Sequence, residues 1–446
     1  MMRGTKPGLW ELPVLILLLA APFSFLTAQP SLLNLRGAER RLLGPEMDLL
    51  VDENGTLNFQ DVLSGKYIEK FQRATQAVPN FGFSGRVYWA RLSLKNPGPS
   101  QEWLIQIAYP HLDSIKLYES SGRHWKASET GDMFPFRIRP LKHRTFFFPI
   151  HFERGEIKTI YLRFQSQGVL EFPVFVMKAE GLLAQDHEEQ FILGIYYGIL
   201  LVLAVYNLIL FFIVRDIAYL YYLLYISGYG TLQLVLNGLA FEYLWPEYPV
   251  WANYSLPFSV AWTFFWGIFF VRRLLSTRAI APFSDQLLAI LQTLLLIMMP
   301  AVFFISYHFA INAAAYVAIL FALLVLAAGF ICAIRGYEPA RYFLVAWAAV
   351  LCGVLLYGLK AFAVLPSNFV TEYGLQFGSA VEMCLLSLGL ANRMSVLERE
   401  KTKALQYSYE VERAHQEARI LQARLETDLL KRNIQPHFIM NSINAV

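Results

Sequence analysis

From residue 191 to 393 the chain is close to one hydrophobic mass. Short polar or charged breaks divide it into seven apolar runs, 191–214, 218–240, 250–271, 286–306, 311–334, 340–364 and 373–392. A bilayer core of ~30 Å takes ~20 apolar residues per helix, and each run supplies about that many. A soluble helix of such length shows a polar face, whereas the stretch 321–330 is apolar all round. The pattern predicts a seven-helix transmembrane bundle.

Before this block the period changes to two. Strand-like alternation occupies 88–94, 103–108, 114–118, 145–152, 159–164 and 172–177, with turn residues such as Asn96-Pro97-Gly98-Pro99 and Ser120-Ser121-Gly122 between them. Many short strands without a strong helix predict a β sandwich or jelly roll over 30–185. The polar stretch 185–190 reads as a hinge, with no flexible linker before the first membrane run. Residues 1–28 read as a signal peptide, with Arg3 and Lys6 ahead of a short apolar run and Ala28 as the cleavage point. The alternative is an uncleaved anchor that adds an eighth span.

After Asn392 hydrophobicity stops. Leu397, Ala404, Val411, Ala418 and Leu425 recur every seven residues, and Tyr407, Ala414 and Leu421 fill intermediate seam positions. Glu400 and Asp428 interrupt that second row. This predicts a coiled coil over 393–432 and a parallel homodimer paired through 395–432; a single solvated helix is the alternative. The fold class is therefore a multi-domain membrane protein: an extracytoplasmic β jelly roll or sandwich, a seven-helix transmembrane bundle and an α-helical coiled coil.

Charge sets an orientation. Arg215, then Arg272, Arg273 and Arg278, then Arg335 and Arg341, and finally Arg393 fall in alternate breaks, while the opposite loops carry no Arg or Lys. Positive loops face the cytoplasm, so the N-terminal domain is expected outside and the C-terminus inside. The chain is 56 % hydrophobic and 16 % charged, which excludes an ordinary soluble domain. A net charge of +4 gives no reason to expect nucleic acid. Cys332, Cys352 and Cys384 all lie in apolar runs without metal-ligand spacing, so no disulfide is expected in the outer domain.

Candidate chemistry is sparse. Within the runs, Asn207, Gln233, Asn237, Gln376 and Glu382 are polar. Glu382 is the one carboxylate so deep, hence a possible intramembrane functional residue, a helix-to-helix hydrogen-bonding group or the centre of a transporter. In the outer domain, Arg137, Arg139, Lys142, His143 and Arg144 cluster around Pro140. They read either as a grip on an acidic ligand or as a solvated loop facing headgroups. Tyr88, Trp89, Trp103, Tyr109, Trp125, Phe134 and Phe136 read as core rather than as a stacking platform. Near the end, His437 follows Pro436, which allows a helix to kink or restart. His437 and Asn441 share a helix face. An imidazole so placed can take a γ-phosphoryl group, with ATP and Mg²⁺ supplied elsewhere and the Asn441 amide orienting the ring.

Several stretches carry a family resemblance. Gly194-Ile195-Tyr196-Tyr197-Gly198, Tyr206-Asn207-Leu208, Arg215-Asp216 and Tyr219-Leu220-Tyr221-Tyr222 follow one another, and Glu382 precedes Leu385-Leu386-Ser387-Leu388-Gly389-Leu390-Ala391. With Tyr88-Trp89-Ala90-Arg91 and the segment 113–118, these resemble bacterial seven-transmembrane receptors with diverse intracellular signalling modules, over residues 40–393. That resemblance implies an outer jelly roll similar to carbohydrate-binding modules, a small-molecule ligand that is carbohydrate by analogy, and a place in the bacterial inner membrane. The tail 433–446 is similar to the phosphoacceptor box of LytS-type sensor histidine kinases: Pro436, His437, Phe438, Asn441 and Asn444 match. Gln435, Ile439 and Met440 depart from it. The resemblance implies His437 as phosphoacceptor, Asn441 as its orienting residue, and a response regulator as partner. No ATP-binding segment follows the box or appears elsewhere. The chain is thus expected to bind no cofactor itself, either as a truncated gene product or with a separate histidine kinase ATPase domain. The alternative is a non-enzymatic receptor acting through a bound cytoplasmic partner.

Overall fold

The computed structural model describes residues 32–35, 40–121, 124–361, 365 and 369–443, without the side chains from 433 on. The expected signal peptide, 1–28, lies outside them. Strands β1 (Leu32–Asn34), β2 (Arg41–Leu42) and β3 (Asp48–Asp52) precede two short helices, α1 (Phe59–Leu63) and α2 (Gly65–Ile68). Ten strands follow: β4 (Gln72–Arg73), β5 (Asn80–Phe83), β6 (Val87–Lys95), β7 (Gln101–Ile107), β8 (Ser114–Ser121), β9 (His124–Thr130), β10 (Phe146–Phe152), β11 (Ile157–Gln165), β12 (Val169–Glu171) and β13 (Val174–Lys178).

The larger sheet runs β4-β3-β6-β11-β8-β9, with β1 parallel to β6. A second sheet runs β10-β7-β13-β2, and β12 pairs with β5. Alternation explains the layering. Ala90, Leu92 and Leu94 of β6 and Ile115 and Leu117 of β8 face Ile105, Ile107, Phe148, Ile150 and Val174 of the other sheet in one core. The intervening residues do not all meet water. Trp89, Val87, Leu50 and Tyr161 form a second apolar layer with Val62 and Phe71, beneath α1 and α2. A reciprocal capping box, Asn58 with Asp61, starts α1 there.

The helical region comprises α3 (Ala179–Val214), α4 (Ile217–Leu236), α5 (Leu239–Tyr243), α6 (Pro249–Leu274), α7 (Thr277–Ile280), α8 (Pro282–Ala301), α9 (Tyr307–Ile334), α10 (Pro339–Ala361) and α11 (Phe369–Ile443). Among the described residues six helices are long and apolar enough to cross a membrane: α3, α6, α8, α9, α10 and α11. The expected second span, α4, has the length, 20 residues, but five tyrosines lower its mean hydropathy. It nevertheless packs between α3 and α6 with Tyr219, Tyr222, Tyr225 and Tyr229 buried.

Segment 185–190 is not a break. β13 ends at Lys178 and α3 begins at Ala179, so the residues read as a hinge are helical. α3 closes on Arg215 in the left-handed region (φ 58°), and Asp216 then caps α4 by accepting from the Ala218 amide. The chain divides into two units, Met1–Ser387 and Leu388–Val446; the second is the C-terminal part of α11 with the residues after it.

Candidate functional site

Two sites emerge within the first unit. One is the junction between sandwich and helices. The Phe136 amide donates to the Pro246 carbonyl at 2.8 Å. His111 Nε2 donates to the Leu236 carbonyl at 3.2 Å, and His308 Nδ1 to the Gln167 carbonyl at 2.7 Å. Arg144 donates to the Asn237 carbonyl at 3.2 Å and pairs with Glu189 on α3. His143 Nδ1 accepts from the Thr145 amide at 3.0 Å, so its Nε2 carries the proton that meets Asp186 at 3.3 Å.

Arg139 sits at the centre of this junction. Its Nη1 donates to the carbonyls of His143 and Arg144 at 2.6 and 2.9 Å. Its guanidinium lies 4.4–5.3 Å from the rings of Phe146, Phe136 and Phe241, the last of which belongs to α5. The basic cluster is therefore not a ligand grip. Arg139, His143 and Arg144 turn inward and fasten the sandwich to the helices, while Arg137 stays exposed, 3.6 Å from Glu247.

Beside Arg139 lies Asp132, 4 % exposed. Asn253 on α6 donates to its carbonyl and to its Oδ1, both at 3.4 Å. Burial, then the nearby Asp113 carboxylate, push Asp132 up to about 8. Burial also raises Asp113, whose Oδ2 accepts from the Gln167 amide at 3.0 Å. A neutral Asp132 carries a hydroxyl proton, and Asn253 Oδ1 is buried without a donor among the described residues. Burial lowers His111 to about 4, lowers His143, and brings Arg139 down to about 10. Glu189 shows the opposite balance: burial raises it, but Arg144 and Gln185 outweigh that and leave it below the usual range.

The second site lies among the apolar helices. Glu382 is 1 % exposed, and Tyr225 of α4 donates to its Oε1 at 3.1 Å. Its Oε2 has no partner among the described residues. One turn of α11 earlier, Ser379 meets Tyr196 of α3 at 3.0 Å; one turn later, Ser387 accepts from Asn207 of α3 at 3.2 Å. Tyr222 donates to the Met383 carbonyl. A ladder of polar contacts thus ties residues 379–387 of α11 to α3 and α4. Asn207 and Glu382 are visible in the sequence; the tyrosines opposite them are not, although five tyrosines in an apolar run are a signal. Gln233 bonds Tyr229 within its own helix, and Asn237 Nδ2 donates to Tyr197 at 2.9 Å.

In the second unit α11 extends to Ile443. Val411, Leu421 and Leu425 of the heptad seam, and Tyr407 beside them, are exposed in the single chain. His437 and Asn441 fall among the residues whose side chains lie outside the described ones. Among the described residues no cluster of three or more His, Cys, Asp or Glu side chains is placed to hold a metal ion.

Comparison with known proteins separates the sandwich from the apolar helices. Residues 189–393 match the family model for 7TM diverse intracellular signalling, and residues 44–178 match that for the 7TMR-DISM extracellular 2 domain. No curated protein matches the chain. The extracellular model falls on the β sandwich and the membrane model on the apolar helices docked against it. The chain is thus a multi-pass membrane receptor for signalling, assembled from 7TMR-DISM domains.

Proposed function

We propose that the chain is a bacterial inner-membrane receptor of the sensor histidine kinase class. Its β sandwich reads a small-molecule cue outside, and its helices pass the change to His437 inside. α4 crosses the bilayer with the other six helices, its tyrosines facing protein rather than lipid. The alternating Arg breaks support a sandwich outside and a tail in the cytoplasm.

One observation carries this reading: the sandwich is docked on the helix ends by Arg139, Arg144 and Asp132, and β13 runs into α3 with no intervening residue. A shift in the sandwich therefore acts on α3, which contacts α11 through Tyr196–Ser379 and Asn207–Ser387. α11 is also the helix that bears His437. The exposed seam supports pairing of two chains through 395–432. Pairing presents His437, with Asn441 one turn on, to an ATP-binding domain of LytS type. That domain supplies ATP and Mg²⁺, and a response regulator then takes the phosphoryl group.

The test is phosphotransfer. The purified chain is incubated with γ-labelled ATP and Mg²⁺, with and without a LytS-type ATP-binding domain, alongside the His437→Gln variant. Acid-labile label that requires the added domain and is lost in the variant supports the reading. Label absent throughout, with a protein stably bound to residues 395–446, would favour a receptor that signals by binding alone.

A further inference from the structure

The outer face of the larger sheet holds a cleft that takes no part in the junction. It has a volume of about 490 Å³, within the ~300–1,000 Å³ range of small-molecule sites. One wall is apolar, formed by Leu57 and Phe59 beside α1. The floor is a single row across four strands: Trp89 on β6 faces Arg163 on β11, Arg163 faces Lys116 on β8, and Lys116 faces Glu129 on β9.

Three features of that row are unusual for a surface that only needs to be soluble. First, Arg163 and Lys116 are like charges directly opposite one another, an arrangement that weakens a sheet. The neighbouring acid only half compensates. Glu129 pairs with Lys116 at 3.1 Å, and no carboxylate lies within ion-pair distance of Arg163 among the described residues. Its guanidinium, at the surface, is held by the side-chain oxygen of Gln165 at 3.0 Å. Second, Trp89 lines the cleft, is wholly buried, and its Nε1–H has no acceptor among the described residues. Buried indole N–H groups normally have a partner. Third, Phe59 is stacked on Tyr118 at 4.0 Å, which fixes the apolar wall over the charged floor. Where a local rule is broken at a cleft with converging donors, a ligand is the physical reason to look for.

We infer that this cleft binds a small ring-bearing carboxylate, with its anionic group on Arg163 and Lys116 and one face of its ring against Phe59 and Leu57. The guanidinium fork suits a carboxylate. The inference rests on the proposed function, since it names the chemical class of the cue that the sandwich reads.

The ring is either hydroxylated or aromatic, and the experiment separates the two. The full chain in lipid nanodiscs is titrated calorimetrically with D-glucuronate, with benzoate, and with D-glucose as the neutral ring. Binding of one acid but not of glucose is expected, and the acid that binds identifies the ring. Arg163→Gln should weaken that binding about tenfold to a hundredfold, as loss of a charge-assisted contact does. Arg154→Gln, in an exposed turn away from the cleft, should leave it unchanged. Thermal unfolding of the ligand-free variants keeps loss of binding distinct from loss of fold. No heat from either acid at millimolar concentration, or equal affinity for Arg163→Gln and the unaltered chain, overturns the inference. Binding here without phosphotransfer to His437 would overturn the phosphorelay and leave the cleft standing.

Discussion

Raising the pH from 6.5 to 8.5 should loosen the sandwich from the helices, and Asp132→Asn should remove most of that effect. Asp132 is held near 8 when docked, chiefly by burial. Once the junction opens, water returns it toward the ordinary carboxylate value of 3.8. A raised carboxyl binds its proton more tightly in the docked state, so docking is strongest below the open-state value and is lost as pH rises through about 8. His111 and His143 are lowered by burial, so their linkage has the opposite sign and offsets part of this loss as the pH rises. Integrating proton uptake over this interval gives up to about 2 kcal/mol, a ~25-fold change in the docking equilibrium. The reporter is the Phe136 amide, bonded across the junction to the Pro246 carbonyl. Its hydrogen-exchange protection, corrected for the intrinsic pH dependence, should fall in the unaltered chain, by less than the ~25-fold that Asp132 alone would give. In Asp132→Asn it should not fall over the same interval. Equal loss of protection in both proteins would refute the assignment of the proton to Asp132.

Three further outcomes follow from the same contacts. Gly238 has φ +76°, and a Cβ there would lie 2.8 Å from Pro110 Cβ and 3.0 Å from the Arg144 carbonyl, so Gly238→Ala should open the junction to protease while the sandwich stays folded. Arg144→Ala leaves Glu189 buried without its charge partner and should cost about 3 kcal/mol of docking, read at the same Phe136 amide and partly recovered by adding Glu189→Gln. Tyr225→Phe removes the donor to Glu382 and should lower resistance to unfolding in mixed micelles by about 0.6–1.7 kcal/mol; no change would mean that the contact adds nothing to helix packing.

How far these features can be read from sequence depends on whether their cause is local. β8 alternates residue by residue, so its strand and inward face follow from the pattern alone, whereas β6 is buried on both faces and only its length of apolar residues marks it as a strand. Glu382 stands out because it is the one charged residue in the run 373–392. The junction is different. Asp132 and Arg139 come from loops of the sandwich, Gly238 and Asn253 from helix ends about 100 residues later, and each reads singly as an ordinary surface or turn residue. The run of basic residues read equally as a ligand grip or a solvated loop, because charge along a sequence does not name its partner. Asp186 and Glu189 are that partner for His143 and Arg144, and they sit in the segment read as a hinge.

Helix through 185–190 keeps the direct connection to the first membrane run expected from the lack of a linker. A flexible segment at 185–190 would let the sandwich move without disturbing the first membrane helix. A helix there transmits instead, because each residue is fixed by backbone hydrogen bonds one turn away, and bending it requires breaking them. The acids that fasten the sandwich, Asp186 and Glu189, lie on the same α3 whose Tyr196 and Asn207 hold α11. From Glu189 to Asn207 is 18 residues, about 27 Å of helix at 1.5 Å per residue. A change in docking therefore reaches α11 through one structural element, without needing a chain of side-chain rearrangements across the bundle. Two glycines inserted after Gln190 should uncouple the ends: ligand binding to the sandwich persists, while its effect on the tail is lost. If the tail still responds in that variant, the signal travels through the α5–α6 side of the junction instead.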